Sequence, residues 1–262
     1  MDVEICADSV ESALAAAKGG AKRIELCSAL SEGGITPSAG LIGMVRQAVD
    51  IQFHVIIRPR GGGFVYSESE LAVMRRDISA VKALGADGVV LGILNPDATV
   101  DRVRTTELVE LAGPLRVTFH RAFDVCSNLP AALEDVIACG VDRLLTAGGQ
   151  CDAIHNVESL AGLQRRAAGR IRIMAGGGIR IGNVREIVTR TGIEEVHTSL
   201  STKLASAAND AGAEASENVT EFASYVVTDR DVRAFQSVLH EIEAQPPARV
   251  QYADVKLWKE NA

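Results

Sequence analysis

Residue types that bind metals or transfer protons recur where short apolar segments end. "DVEIC" and "RIELC" each carry an E-x-C pattern, ending at Cys6 and Cys27. "VTFHRAFD" places His120 after an apolar run, and "EEVHTS" does the same for His197 and Ser199. Thiolates and imidazoles are metal ligands, whereas imidazoles and carboxylates act as general acids and bases. The pattern therefore allows metal binding and acid/base catalysis, provided that the fold brings these ends together.

Eight short apolar segments alternate with segments of helical period, which is typical of the α/β class. The eight predicted strands are MDVEIC, RIELC, QFHVIIR, DGVVLG, RVTFH, DRLLT, RIRIMAGG and EEVHTS. Eight such units in 262 residues predict a single (β/α)8 TIM-type barrel over residues 1–245. A doubly wound sheet is the alternative, but the strand count and the length favour closure.

Two segments depart from the repeat. Residues 202–225 are small, polar and acidic, which predicts a long loop after strand 8. Residues 246–262 begin with two prolines, which predicts a C-terminal tail outside the barrel.

Charge and composition restrict the partners. The net charge of -7 argues against general binding to nucleic acid or to a membrane surface, because both attract basic patches. The N-terminus has neither a basic nor an apolar leader, so we expect a cytoplasmic protein. The five cysteines include no CxxC pair, which predicts reduced thiols.

Alternation along the strands predicts which side chains face the barrel interior, where barrels place their active sites at the carboxyl ends of the strands. Glu25, Arg58, His120 and His197 are predicted to face inward and form the catalytic set. A buried Glu25–Arg58 ion pair that only fills the barrel is the alternative. Alternation places Arg121 facing away from the interior, where it would brace the following loop.

Glycine-rich segments predict a site for a small anion. Gly176, Gly177 and Gly178 follow strand 7, and with Ser199 after strand 8 they could cradle a phosphate; a plain tight turn is the alternative. In "RPRGGGFVYS", Arg60 could join Arg58 in clamping an anionic group. These features indicate an enzyme that acts on a small anionic or phosphorylated substrate, although the reaction stays open.

Six ordered motifs resemble the CutC copper-homeostasis family. They are "EICADSVESALAAAKGGAKRIELCSALSEGGITPS", "IRPRGGGFVYS", "VTFHRAFD", "LLTAGG", "MAGGGI" and "VHTS". The resemblance implies a cytosolic TIM-barrel protein that forms a homo-oligomer, a dimer or tetramer, and binds Cu(I). The family's proposed copper ligands match Cys6 and Cys27. The chain departs from the family at Gly63, where "RGGDF" is usual, and in "LTAGG", where "LTSG" is usual.

Two hypotheses therefore stay open. In the first, Cys6 and Cys27 fall at equivalent inward positions on adjacent strands, which lie about 4.8 Å apart, and their soft thiolates share one Cu(I) ion. Small cysteines that pack the barrel would leave the same sequence pattern. In the second hypothesis, the same barrel mouth binds and transforms a small anionic ligand.

Overall fold

The structure is a computed structural model that describes residues 1–203 and 225–244. Its eight parallel strands close into a barrel in chain order, and β8 pairs with β1 through Glu4 opposite His197. The strands are β1 Asp2–Ala7, β2 Arg23–Leu26, β3 Gln52–Ile56, β4 Gly88–Leu91, β5 Arg116–Phe119, β6 Arg143–Thr146, β7 Arg172–Ala175 and β8 Glu195–Thr198. This closure confirms the (β/α)8 TIM-type barrel and excludes the doubly wound sheet.

Eight helices follow or flank the strands. They are α1 Val10–Lys18, α2 Ala39–Ala48, α3 Glu68–Ala83, α4 Arg102–Ala112, α5 Leu129–Ala138, α6 Val157–Ala167, α7 Ile181–Thr191 and α8 Asp229–Ala244. Helix α3 illustrates why they form, because Ser67 and Glu70 build a capping box at its start. Its apolar residues recur at helical spacing, and Leu71, Met74 and Ile78 are buried against the barrel.

The predicted long loop after β8 lies mostly outside the described residues. The two ends of that segment pair instead as a short antiparallel sheet, β9 Ser201–Lys203 with β10 Tyr225–Val227. The backbone amide of Val227 donates to Ser12 Oγ in α1, which ties this sheet to the barrel wall. The predicted tail at 246–262 also lies outside the described residues. Within the described ranges, no helix is long and apolar enough to cross a membrane.

A network of buried charges fills the barrel interior beneath the mouth. Arg23 donates to Glu4, and its Nη2 donates to Glu195 Oε2 at 2.9 Å. Arg143 reaches the same carboxylate, with 2.5 Å between its Nε and Glu195 Oε2. Buried ions need such partners, because an isolated charge in the interior costs several kcal/mol. The network therefore fixes Glu4, which in turn contacts His197 at the mouth.

Candidate active and metal site at the barrel mouth

A cavity of about 600 Å³ opens at the carboxyl ends of the strands. Eight of the residues predicted from the sequence line it: Cys6, Glu25, Arg58, His120, Gly177, Gly178, His197 and Ser199. Alternation places these side chains inside because successive residues of a strand point to opposite faces. The volume is within the range of small-molecule sites.

Glu4, His197 and Glu25 form a line that leads into the cavity. His197 Nδ1 lies 2.8 Å from Glu4 Oε1, and His197 Nε2 lies 3.7 Å from Glu25 Oε2. Burial opposes ionisation of Glu4, but its hydrogen bond to His197 and the charge of Arg23 hold its pKa well below the usual range. The ionised Glu4 can only accept, so Nδ1 carries a proton and Nε2 faces Glu25.

Glu25 is suited to proton transfer. Burial raises the pKa of Glu25 to about 7, and the neighbouring charge of His197 only partly opposes the rise. The pKa of His197 is also raised, because the carboxylates of Glu25 and Glu4 outweigh its burial. A carboxyl group with a pKa near neutral can both take up and release a proton under physiological conditions.

Two thiols meet beside this line. Cys6 Sγ lies 3.5 Å from Cys27 Sγ, although Cys6 pairs in register with Glu25 and not with Cys27. The two cysteines are therefore offset by two residues, which corrects the expectation of equivalent positions on neighbouring strands. Contact with Cys27, burial, and the nearby carboxylates all raise the pKa of the Cys6 thiol. Both thiols belong to a small buried cluster with Ile56 and Val90.

Among the described residues, Cys6, Glu25 and His197 form a group that could hold a metal ion. One ligand atom from each residue lies within 4.8 Å of the other two. The Cys27 sulfur lies beside this group, so the thiols provide soft ligands and the other two residues provide harder ones. A metal held here would take the thiols as soft ligands, and Glu25 or His197 could provide a further donor.

His120 faces the cavity as a neutral imidazole. Its Nδ1 accepts from the Ala122 backbone amide at 3.1 Å, and its ring packs on Phe64 with the centroids 5.1 Å apart. Burial, together with the charge of Arg58, lowers the pKa of His120 to about 3. The neutral ring therefore carries its proton on Nε2, which is buried and finds no hydrogen-bond partner in the described part of the chain.

Arg58 and Arg60 are largely engaged by their own loops. Arg58 donates to the carbonyls of Glu32, Gly34 and Gly62, at 2.6, 2.7 and 2.7 Å respectively, and makes no ion pair with Glu25 within the described residues. Arg60 does not line the cavity; its Nε lies 2.5 Å from Glu70 Oε1.

Gly63 lies on the same loop as Arg60. Its carbonyl accepts from Arg60 Nη1 at 2.9 Å, and a Cβ added at Gly63 would meet no atom within 4 Å. There is therefore open space for the Cβ of the Asp that is usual in the family. Gly63 itself does not line the cavity, so the departure from the family pattern replaces no residue of the present cavity wall.

The glycine turn after β7 approaches the cavity closely. Gly177 and Gly178 line the cavity, and their φ values of +94° and +68° favour glycine. Gly176 does not line it, and a Cβ at that position would overlap the Leu145 side chain. The Asp152 carboxylate abuts Gly178, so the turn has a negative group beside it.

Arg121 is a site residue that alternation misplaced, and Asp124 lines the cavity beside it. The predicted brace exists, because Arg121 Nε donates to Asp124 Oδ2 at 2.7 Å, yet Arg121 also lines the cavity. Strand β5 ends at Phe119, and a 3-10 turn over Arg121–Val125 redirects the chain, so strand alternation no longer applies. Arg23 in the interior network was also missed, although extending the alternation of β2 by one step places it inside.

Comparisons with known proteins agree on one family. The sequence profile of the CutC family matches residues 1–202. A family protein CutC of Chromobacterium violaceum is 45% identical over 241 residues, covering 90% of this chain and 97% of the relative. Another family protein CutC, from Xylella fastidiosa, is 50% identical over 197 residues, which cover 75% of this chain and 74% of the relative.

Solved structures agree with the sequence relatives. A CutC from Streptococcus agalactiae, provisionally assigned to copper homeostasis, is 35% identical with a TM-score of 0.72. The match covers 75% of this chain and 97% of that one. A thiamine phosphate pyrophosphorylase from Pyrococcus furiosus shares the fold alone, since it is only 19% identical. Its TM-score is 0.56, and the match covers 92% of this chain and 96% of that one.

Proposed function

The chain belongs to the CutC family, and from this premise we propose that it is a copper-homeostasis protein that binds Cu(I) through the thiolates of Cys6 and Cys27. The observation that carries the proposal is the separation of 3.5 Å between the two sulfurs at the barrel mouth. Cu(I) prefers soft thiolates, and it binds by displacing the protons that the raised pKa of Cys6 retains in the free protein.

The backbone keeps this thiol pair reduced. Because Cys27 is offset by two residues from the register partner of Cys6, strand geometry places the two Cα atoms roughly 8 Å apart. A disulfide needs a Cα separation below about 7 Å, so the pair cannot close without backbone movement. A metal ion bridges a wider gap than a sulfur–sulfur bond, and this supports a metal-binding role over a redox role.

X-ray absorption at the copper edge tests the ligand set. Protein loaded anaerobically with one Cu(I) per chain is expected to show two sulfur neighbours, and Cys27→Ser is expected to show one. Cys151→Ser is the matched control, because Cys151 is exposed and lies outside the site. A Cys27→Ser spectrum equal to that of the wild type would overturn the assignment.

A second function is favoured by the cavity itself. A volume of about 600 Å³ exceeds what one copper ion needs, and neither His120 nor Glu25 is required by a two-thiolate site. We propose that the same mouth also binds a small anionic substrate, with Glu25 and His197 in acid/base roles and Arg58 and His120 holding the ligand. The Gly177–Gly178 turn and Ser199 offer further polar contacts to that ligand.

Crystals grown at saturating sulfate, phosphate or acetate test the second function. An anion ordered in the cavity would support it. A cavity that holds only water under these conditions would count against it, and would leave the copper proposal untouched.

The resemblance also supports a cytoplasmic location and a homo-oligomer, either a dimer or a tetramer. Light scattering on purified protein measures the oligomeric state.

A further inference from the structure

We propose that the anionic group of the cavity's ligand is a carboxylate held by Arg121, and that His120 Nε2–H donates to a second oxygen of the same molecule. The inference rests on the second proposed function and names the ligand class and the residue that binds it. It assigns the main contact to Arg121, which the sequence pattern placed in a bracing role, in preference to Arg58 and Arg60, whose guanidiniums already donate to other protein groups.

Arg121 is the guanidinium best prepared for a ligand. Its only hydrogen bond within the described residues runs from Nε to Asp124 Oδ2, at 2.7 Å, so both terminal amino groups stay available. Asp124 is itself fixed, because it accepts from the Ala147 amide at 3.0 Å and contacts Thr146 Oγ1 at 2.5 Å. The guanidinium lies against Gly177, where an added Cβ would come within 2.9 Å of Arg121 Cζ. Arg121 is therefore held at the cavity wall before a ligand binds.

His120 provides the independent observation that points to a ligand. It is 5% exposed, its Nδ1 is used as an acceptor, and its Nε2 has no partner among the described residues although the ring lines the cavity. A buried donor without a partner destabilises the protein, and a ligand oxygen would remove that cost. A neutral imidazole N–H suits an uncharged oxygen, such as a ketone or hydroxyl, next to the carboxylate.

Charge distinguishes a carboxylate from a phosphate. The cavity is lined by as many carboxylates as guanidiniums, namely Glu25, Glu32 and Asp124 against Arg58, Arg121 and Arg180. A dianionic phosphate at the glycine turn would also face Asp152, whose carboxylate abuts Gly178. A planar carboxylate can accept from both terminal amino groups of Arg121, and it brings one negative charge where a phosphate brings up to two.

Saturation-transfer ¹H NMR with pyruvate and ethyl pyruvate as probes, together with ³¹P line broadening of inorganic phosphate, tests the proposal. We expect wild-type protein to bind pyruvate and to bind the uncharged ester and phosphate at least about tenfold more weakly, as for loss of a charge-assisted pair. Arg121→Gln should weaken pyruvate binding by a similar factor, and Arg121→Lys by less. Arg116→Gln is the matched control, because it removes an exposed guanidinium from the opposite end of the same strand.

The outcomes separate the inference from the function on which it rests. Pyruvate binding that survives in folded Arg121→Gln protein would overturn the assignment of Arg121 alone. Phosphate bound more tightly than pyruvate would overturn the carboxylate and leave an anion-binding mouth. No binding of any probe by the wild type would remove both the inference and the second function. In the supporting case, the ¹⁵N signal of His120 Nε2 shifts when pyruvate is added.

Discussion

Replacing Arg23 by Met tests whether the interior ion network stabilises the barrel. The Arg23 side chain is 4% exposed and pairs with Glu4 and Glu195, which are themselves buried. Burial alone would lower the pKa of Arg23, but the carboxylates of Glu4 and Glu195 outweigh the effect of burial and raise that pKa. Arg23→Met keeps the length of the side chain while leaving both carboxylates without their shared cation. Removing one partner from a buried ion pair costs about 3–5 kcal/mol.

Urea denaturation of Arg23→Met measures that cost, and the melting temperature should fall by roughly 10 °C. Arg116→Met is the control, because Arg116 is 71% exposed and its pair with Asp142 faces solvent. An exposed pair contributes about 0–1 kcal/mol, so the control should stay close to the wild type. A difference in unfolding free energy below about 1 kcal/mol between Arg23→Met and Arg116→Met, the top of that exposed-pair range, would show that the network stabilises the barrel no more than a surface pair does.

Three further predictions concern the mouth. Gly92→Ala should destabilise the protein by about 1–3 kcal/mol, because the new Cβ would lie 2.5 Å from the His120 ring. Gly43→Ala is the control, because Gly43 lies on α2 with open space around its Cβ position, and this change should be neutral or stabilising. Melting curves of the two variants measure the difference. The pKa of His120 is about 3 in the folded protein and about 6.5 in the unfolded chain, so the free energy of unfolding should fall as the pH drops below 6.5. At pH 5, His120 alone should lower it by about 2 kcal/mol. His120→Gln should lose that share of the acid sensitivity in urea titrations, and an unchanged slope would contradict the buried neutral ring. Under native conditions, mass spectrometry should find Cys151 alkylated by iodoacetamide well before Cys6, because Cys151 is exposed and the Cys6 thiol is buried with a raised pKa. Equal alkylation rates at Cys6 and Cys151 would contradict the burial of the Cys6 thiol.

The sequence predicted the strands and the inward side chains because one simple rule governs both. Strands buried on both faces read as short apolar runs, and alternation along them places Glu25 and His120 inside. The structure confirms the barrel, and the predicted segments agree with the eight strands to within a few residues at each end.

The rest depends on features that a local pattern does not contain. The stagger between neighbouring strands sets which residues face each other, and it follows from closing the whole barrel, so the offset of Cys27 from Cys6 was not predictable. Loop paths determine where long side chains end. Arg60 is engaged by Glu70 at the start of α3, and Arg121 is turned into the cavity by a 3-10 turn after β5.

Anaerobic competition for Cu(I) against a calibrated chelator measures whether the two thiols at the barrel mouth bind copper. Wild-type protein is compared with the double variant Cys6→Ser, Cys27→Ser, and Cys151→Ser controls for the loss of an unrelated thiol. We expect one tight site per chain in the wild type and the control, and loss of that site in the double variant with the fold intact. Equal affinity in all three proteins would contradict this expectation, because the two sulfurs at the barrel mouth would then serve only to pack the barrel.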